Sequence, residues 1–388
     1  MIYYLLDEPF SAYTGLALAS TVANMMRFDQ NSVVVCPEAD DTWGFGADRI
    51  LALPQLRILA TEIRGSTMRG WRFVPFSMRR RIISLIFDSV LAQLQSGDVV
   101  WCHNWPYVAS SLEQAIHSRG AKLIYHAHNS LVPYAARSLF QSFSPDALIF
   151  NSEAMRREAR TCMPYLRNTY AIHNGADETL FYPMAANAPR QDAIPVVLYV
   201  GRLVPIKGVH ILIEAMRILH EGKIQVICKL IGSSHAGGRR NKTTTYIKSL
   251  RQHCPPNVRF EGFRAGTDIG HEYRSADILC CPSIWQEPFG NVNIEAMASG
   301  VPVVATRVGG IPEIAAEGGV LMVEPDSAVD LAGALRKLIV DKELRAKIGA
   351  EGLASFRRRF TWGAIVRQHR QLVESLHTES ATHRNLEQ

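Results

Sequence analysis

Residues 285–306 read WQEPFGNVNIEAMASGVPVVAT and hold a complete piece of architecture: a turn, a helix, a stop and a strand. Pro288 and Gly290 break the chain just after Glu287, so this carboxylate is expected on a turn whose backbone N–H groups are open to an anion. From Asn293 the residues suit a helix. Gly300 ends it, and Glu295 falls in its first turn. PVVAT then reads as a strand with no polar alternation, the pattern of a parallel sheet covered on both faces. The Glu-x7-Glu spacing is thus expected to present two acids to one cavity from different elements.

The same kind of strand recurs in both directions. IYYLL, SVVVC, DVVWC, KLIYHAH and ALIFN occupy the first half, and PVVLYVG, VICKLIG, ILCCPS and PVVAT the second. Helix-length amphipathic segments separate them, which predicts α/β architecture with two doubly wound, Rossmann-like domains. The series pauses at MAANAPRQDAIP, residues 184–195, the best linker candidate. Residues 1–183 are therefore assigned to a first domain and 196–360 to a second. FTWGAIVRQHRQLVESLH at 360–377 has the length and apolar spacing of a helix that returns to the first domain over 361–378. Residues 379–388 read as a polar, frayed tail.

A chain of 388 residues exceeds what one core usually serves, which agrees with two domains. No apolar run reaches the roughly 18 residues of a membrane span, and Asp7 and Glu8 interrupt the apolar start before a signal-peptide core forms. The chain is accordingly read as cytoplasmic. Its seven cysteines lack paired metal-ligand spacing and are expected as mostly buried free thiols. A net charge of +6 is modest, and without an aromatic-interleaved basic run nucleic acid is not expected as a partner. No two aspartates stand in a D-x-D arrangement, so no metal cofactor is expected.

Five segments in one order resemble the retaining glycosyltransferases of family GT4, which have the GT-B fold. They are SAYTGLALASTVANMM (11–26), YHAHNS (125–130), IHNGADETLFYP (172–183), GRLVPIKGVHILIEAM (201–216) and the opening stretch continued by VGGIPEI (308–314). The resemblance implies two domains whose strand ends share a cleft, and a nucleoside diphosphate sugar as donor. By the same resemblance Arg202 and Lys207 hold the donor pyrophosphate, and Glu295 takes the ribose. Glu287 contacts the transferred sugar, while Phe289, Gly290 and Asn291 lend backbone donors. In the first domain His128 matches the family's active-site histidine. His126, on the same face, reads as a core residue. Gly15 matches the glycine-rich first loop, although Thr14 replaces the second glycine usual there. Asn174 and Gly175 read as a turn, with or without a ligand.

These assignments predict a hexosyltransferase acting from a nucleoside diphosphate sugar, UDP-sugar first, onto an envelope glycan or lipid-linked acceptor. The alternatives are a GT-B nucleotide-sugar epimerase and a non-catalytic sugar-nucleotide binder; intact Arg202, Lys207, Glu287 and Glu295 argue against the second. Residues 63–87 carry six arginines, Trp71, Phe73, Val74 and Phe76 and no acid. That mixture suits peripheral attachment to an anionic membrane surface, on the inner face of the cytoplasmic membrane. A solvated basic loop or an acceptor-phosphate site is the other reading of the segment.

Overall fold

A computed structural model of the protein describes residues 1–10, 17–40, 42–56, 75–131, 137–184, 194–234 and 244–386. The chain forms two compact units, one of Met1–His173 with Val366–Gln388 and the other of Asn174–Ile365.

In the first unit the apolar runs become β1 (Ile2–Leu5), β2 (Ser32–Cys36), β4 (Val99–His103), β5 (Lys122–Ala127) and β6 (Ala147–Phe150). Two short strands, β3 (Ile50–Ala52) and β7 (Thr169–Ala171), close the edges. Every neighbouring pair is parallel, in the order β3-β2-β1-β4-β5-β6-β7. The order reverses direction between β1 and β4, and a doubly wound sheet opens its ligand crevice at such a point. Trp105, Phe87 and Phe143 anchor the core on one face.

The second unit repeats the plan with β8 (Val196–Val200), β9 (Ile227–Ile231), β10 (Val258–Gly262), β11 (Ile278–Cys281), β12 (Val303–Thr306) and β13 (Val320–Val323). Its order is β10-β9-β8-β11-β12-β13, again all parallel, with the reversal between β8 and β11. Both faces are covered. Val197 and Tyr199 point into one core, while Leu198 joins Leu279, Phe289 and Phe360 in the other. Continuous apolar strands are what burial on both faces demands.

The division at His173/Asn174 precedes the expected linker at 184–195, most of which lies outside the described residues. Side-chain packing accounts for the difference. Ala176 bridges to Thr361, and Phe181 meets the Tyr273 ring edge-on, so residues following His173 already belong to the second core. Gly175 is packed so tightly that a Cβ would lie 2.8 Å from the Trp362 ring.

The helix expected over 361–378 runs over Trp362–Leu386. Most of the segment read as a frayed tail is therefore helical backbone. From Val366 onward the helix belongs to the first unit, where Val366, His369 and Val373 line a cavity of about 120 Å³ with Tyr4 and Trp101. All seven cysteines are free; Cys162 and Cys254 are half-buried and the others buried.

Candidate active site

The loops after β8 and β11 leave the second sheet on either side of its reversal. Backbone contacts fasten them together. Pro205–Lys207 forms a single 3₁₀ turn closed by Gly208 at φ +66°, and a Cβ on Gly208 would lie 1.9 Å from the Pro282 carbonyl oxygen. The Ile284 N–H donates to the Ile206 carbonyl at 3.0 Å. On the other side the Gly310 N–H donates to the Glu287 carbonyl at 2.8 Å, and the Gly309 N–H to Gln286 Oε1 at 2.8 Å. Gly309 sits at φ +54°, and a Cβ there would come within 2.0 Å of the Glu287 oxygen. The VGG stretch therefore clamps the peptide that carries Glu287.

Glu287 is only 5% exposed. Its Oε1 accepts from Lys207 Nζ at 2.5 Å and from the Ser283 hydroxyl. Lys207 also stands 5.2 Å from the centre of the Trp285 ring, a cation–π distance. Arg202 is exposed and makes no ion pair among the described residues, but its carbonyl is held by the Tyr199 hydroxyl at 2.8 Å.

Gly290, at φ +101°, starts the helix Asn291–Ala298. Asn291 Oδ1 accepts from Asn174 Nδ2 at 2.9 Å, which joins the IHNGAD turn to the same loop. The Phe289 ring is core, 5.9 Å from Phe360, so only its backbone is placed to meet a ligand. On the second turn of this helix, Glu295 Oε2 accepts from the Tyr273 hydroxyl at 2.6 Å. Burial pushes the Glu295 carboxyl up to about 7, and the Tyr273 bond opposes that shift.

His128 lies in the first unit, just past β5. Its Nε2 is 2.9 Å from His103 Nδ1 and its Nδ1 3.1 Å from Asn151 Nδ2, so both ring nitrogens have partners there. His126 is buried and pairs through Nε2 with Asn151 Oδ1 at 2.8 Å. Burial brings His126 down to about 4, and burial with the neighbouring histidines holds His103 and His128 well below the usual range. All three rings are neutral at pH 7. Gly15 lies outside the described residues; nearby, the Glu8 carboxylate accepts the Ala19 N–H at 2.8 Å near the start of the helix Ala17–Phe28.

The structure thus gathers Lys207, Glu287 and Asn291 around one loop, leaves Arg202 facing solvent and pairs Glu295 with Tyr273. Sequence reasoning missed Ser283, Tyr273 and His103. A signal existed for His103, because parallel pairing of β4 with β5 sets it directly opposite His126. Ser283 and Tyr273 carried none.

The family model for Glycosyl transferases group 1 matches residues 186–354, and that for Glycosyltransferase Family 4 matches residues 22–180. A D-inositol 3-phosphate glycosyltransferase of Corynebacterium aurimucosum is 36% identical over 52% of this chain and 50% of its own length. The chain therefore spans about half the length of that relative. Alpha-maltose-1-phosphate synthase of Mycolicibacterium smegmatis is 27% identical over 71% of this chain and 78% of its own. Among solved structures, Anabaena Alr3699/HepE in complex with UDP and glucose superposes with a TM-score of 0.72 at 23% identity, covering 96% of this chain and 99% of that one.

Two glycine substitutions test the clamp on Glu287. Gly97 also has positive φ, at +87°, but nothing lies within 4 Å of its added Cβ. Gly97→Ala is expected to cost about 1–2 kcal/mol from backbone strain alone. Gly309→Ala adds a clash with the Glu287 peptide and should lower the urea midpoint distinctly further. Equal losses for the two variants would mean that the Gly309 contact is not restrictive.

Proposed function

This chain belongs to the group 1 glycosyltransferases of family GT4, and we propose that it transfers a hexose with retention from a nucleoside diphosphate sugar, UDP-sugar first, to an envelope glycan or lipid-linked acceptor. The observation that carries the reading is the contact of Lys207 with buried Glu287 at the reversal of the second sheet, with exposed Arg202 on the same loop after β8. As the anomeric C–O bond breaks, negative charge grows on the leaving diphosphate. Two cations at a strand end stabilise that charge most when it is greatest. The acceptor oxygen bonds the anomeric carbon, and its proton passes to the leaving phosphate or to solvent.

Glu287 is proposed to hold the sugar's hydroxyls, and Phe289, Gly290 and Asn291 to offer backbone groups. Glu295 is proposed to take the ribose diol, since an ionised carboxylate accepts two hydrogen bonds. His128 is assigned to the sugar on resemblance alone. No metal is assigned to the phosphates. The UDP and glucose bound by Alr3699/HepE support the donor class, and the phosphorylated products or acceptors named for the relatives support an acceptor outside the protein.

The basic segment is proposed to rest on an anionic membrane surface. No helix among the described residues is long and apolar enough to cross a membrane. Arg64, Arg69, Trp71, Arg72, Phe73 and Val74 lie outside the described residues. In the helix Phe76–Ile86, Met78, Arg81, Ile82 and Leu85 are exposed along one stripe. Arg80 instead turns to the Ser111 carbonyl and to Gln114 Oε1 at 2.7 Å, so it is a tertiary contact.

Lys207→Ala and Arg202→Ala should each lower turnover at least about tenfold, more than about 1.4 kcal/mol, and wild-type turnover should persist in excess EDTA. Their stabilities should differ. Removing Lys207 strands a buried carboxylate and should lower the denaturation midpoint, whereas exposed Arg202 is expendable for folding. Lys207→Ala with Glu287→Gln should regain stability without regaining turnover. Wild-type turnover in either folded single variant would remove that cation from the site.

Donor binding should depend on pH through Glu295. In the free protein this carboxyl is protonated below about 7, and the ionised form is the better diol acceptor. The donor KM should therefore fall as pH rises through about 7 and level off above it. Glu295→Gln should raise KM more than it lowers kcat and flatten the profile. A KM that stays flat in the wild type, or rises with pH, would contradict the ribose assignment.

Liposomes containing phosphatidylserine should co-sediment the protein at low salt and release it at high salt, because charge attraction is screened within about 8–10 Å. Arg81→Glu with Leu85→Ser changes two exposed positions and should weaken sedimentation while donor binding stays unchanged. Equal sedimentation with neutral liposomes, or of the double variant, would make the stripe an ordinary solvated face.

A further inference from the structure

At the ends of β4 and β5, far in sequence from the donor loops, His103, His126 and His128 each bring a ring nitrogen within 4.8 Å of the other two. We propose that these three histidines bind a borderline divalent cation of the zinc class. Imidazole nitrogens suit zinc, copper and nickel, whereas magnesium and calcium prefer oxygen. A metal needs neutral rings with available lone pairs. The depressed basicity of all three rings meets that requirement at neutral pH without any charge to displace.

Two further observations point to a ligand. His103 Nε2 and His126 Nδ1 are buried and have no hydrogen-bond partner among the described residues. Buried polar atoms are nearly always satisfied, so each orphan calls for a partner that is not a side chain here. The surroundings also have the form of an outer shell. His126 gives its other nitrogen to Asn151 Oδ1, which orients the ring and leaves Nδ1 as the lone pair, and Asn104 Oδ1 holds the His128 backbone N–H at 2.7 Å.

The strands supply the rigidity. His103 and His126 are register partners on neighbouring strands, and His128 follows two residues on, along the same face. Zinc–nitrogen bonds of about 2.0–2.1 Å place tetrahedral ligands roughly 3.3 Å apart, so the cluster closes on binding. His128 is the one ring of the three with solvent access, and its rotation provides that closure. The rotation trades its 2.9 Å bond to His103 for the metal, and each ring stays neutral with its one N–H on the nitrogen that does not meet the ion. The fourth position is left to water on the accessible side.

Cobalt(II) tests the site without reference to transfer. One equivalent added to the full chain should give the visible bands of a four- or five-coordinate ion, with no sulfur-to-cobalt charge transfer, and one equivalent of zinc should abolish them. His126→Asn and His128→Asn should lose the bands. His253→Asn should keep them, since that exposed ring bonds only within its own helix, to the Ser249 carbonyl at 2.9 Å. His128→Asn alters the least buried ligand, and circular dichroism reports whether each variant is folded. A pale octahedral spectrum in the wild type, charge transfer from a cysteine, or bands that persist in folded His128→Asn would each overturn the proposal.

Discussion

Lys207 and Glu287 are 80 residues apart in sequence and touch only because two backbone contacts allow it. Gly208 lies against the Pro282 carbonyl on one side of the loop, and Gly309 against the Glu287 peptide on the other. Both glycines have positive φ, and neither position has room for a Cβ. The Glu287 carboxylate, almost wholly out of water, is then stable as a charge only because an ammonium and a hydroxyl meet it. The loops after β8, β11 and β12 are thereby locked to one another. Remaining parts of the donor half, including the Asn291–Ala298 helix and the Asn174 contact, are built against that lock.

The strands that were legible and those that were not differ in position within the sheets. All nine apolar runs picked out of the sequence became strands. The four that escaped notice, β3, β7, β10 and β13, are the four edges of the two sheets. An edge strand has one neighbour and incomplete cover, so its residues need not be continuously apolar. The half-buried TYA of β7 and the VRFEG of β10 show this. Sheet interiors announce themselves through desolvation on both faces, and edges do not. The division of the chain was blurred for a related reason, since Phe181 and Ala176 join the second core ahead of any loop-like composition.

Within the candidate site, groups that act through backbone geometry were readable, because glycine and proline punctuate the chain where such geometry is needed. Partners supplied by distant strands were not. Tyr273 lies 22 residues before Glu295, at the end of a different helix, and nothing local marks it as the group that meets this carboxylate. Ser283 is one small polar residue in CCPSIWQE. His103 was recoverable only by pairing two strands in parallel register, a step that depends on topology and not on pattern.

In the proposed donor site, the pairing of Lys207 also divides the work between the two cations. Bound to Glu287, Lys207 forms part of a pair with no net charge, so its attraction for a distant dianion is weak. Its ammonium nevertheless has three N–H donors, and the contact with Glu287 uses only part of that capacity. It can bridge the carboxylate and a phosphate at short range, where position matters more than field. Arg202 is exposed and has no ion-pair partner among the described residues at the same strand end, so on the proposed reading long-range attraction falls to it. Its planar fork is also the better match for two phosphate oxygens at once. In the proposed donor site, a lysine already neutralised in place and an arginine with no ion-pair partner among the described residues are therefore not duplicates: the first is proposed to set where the diphosphate sits relative to Glu287, and the second to make the loop attractive to it.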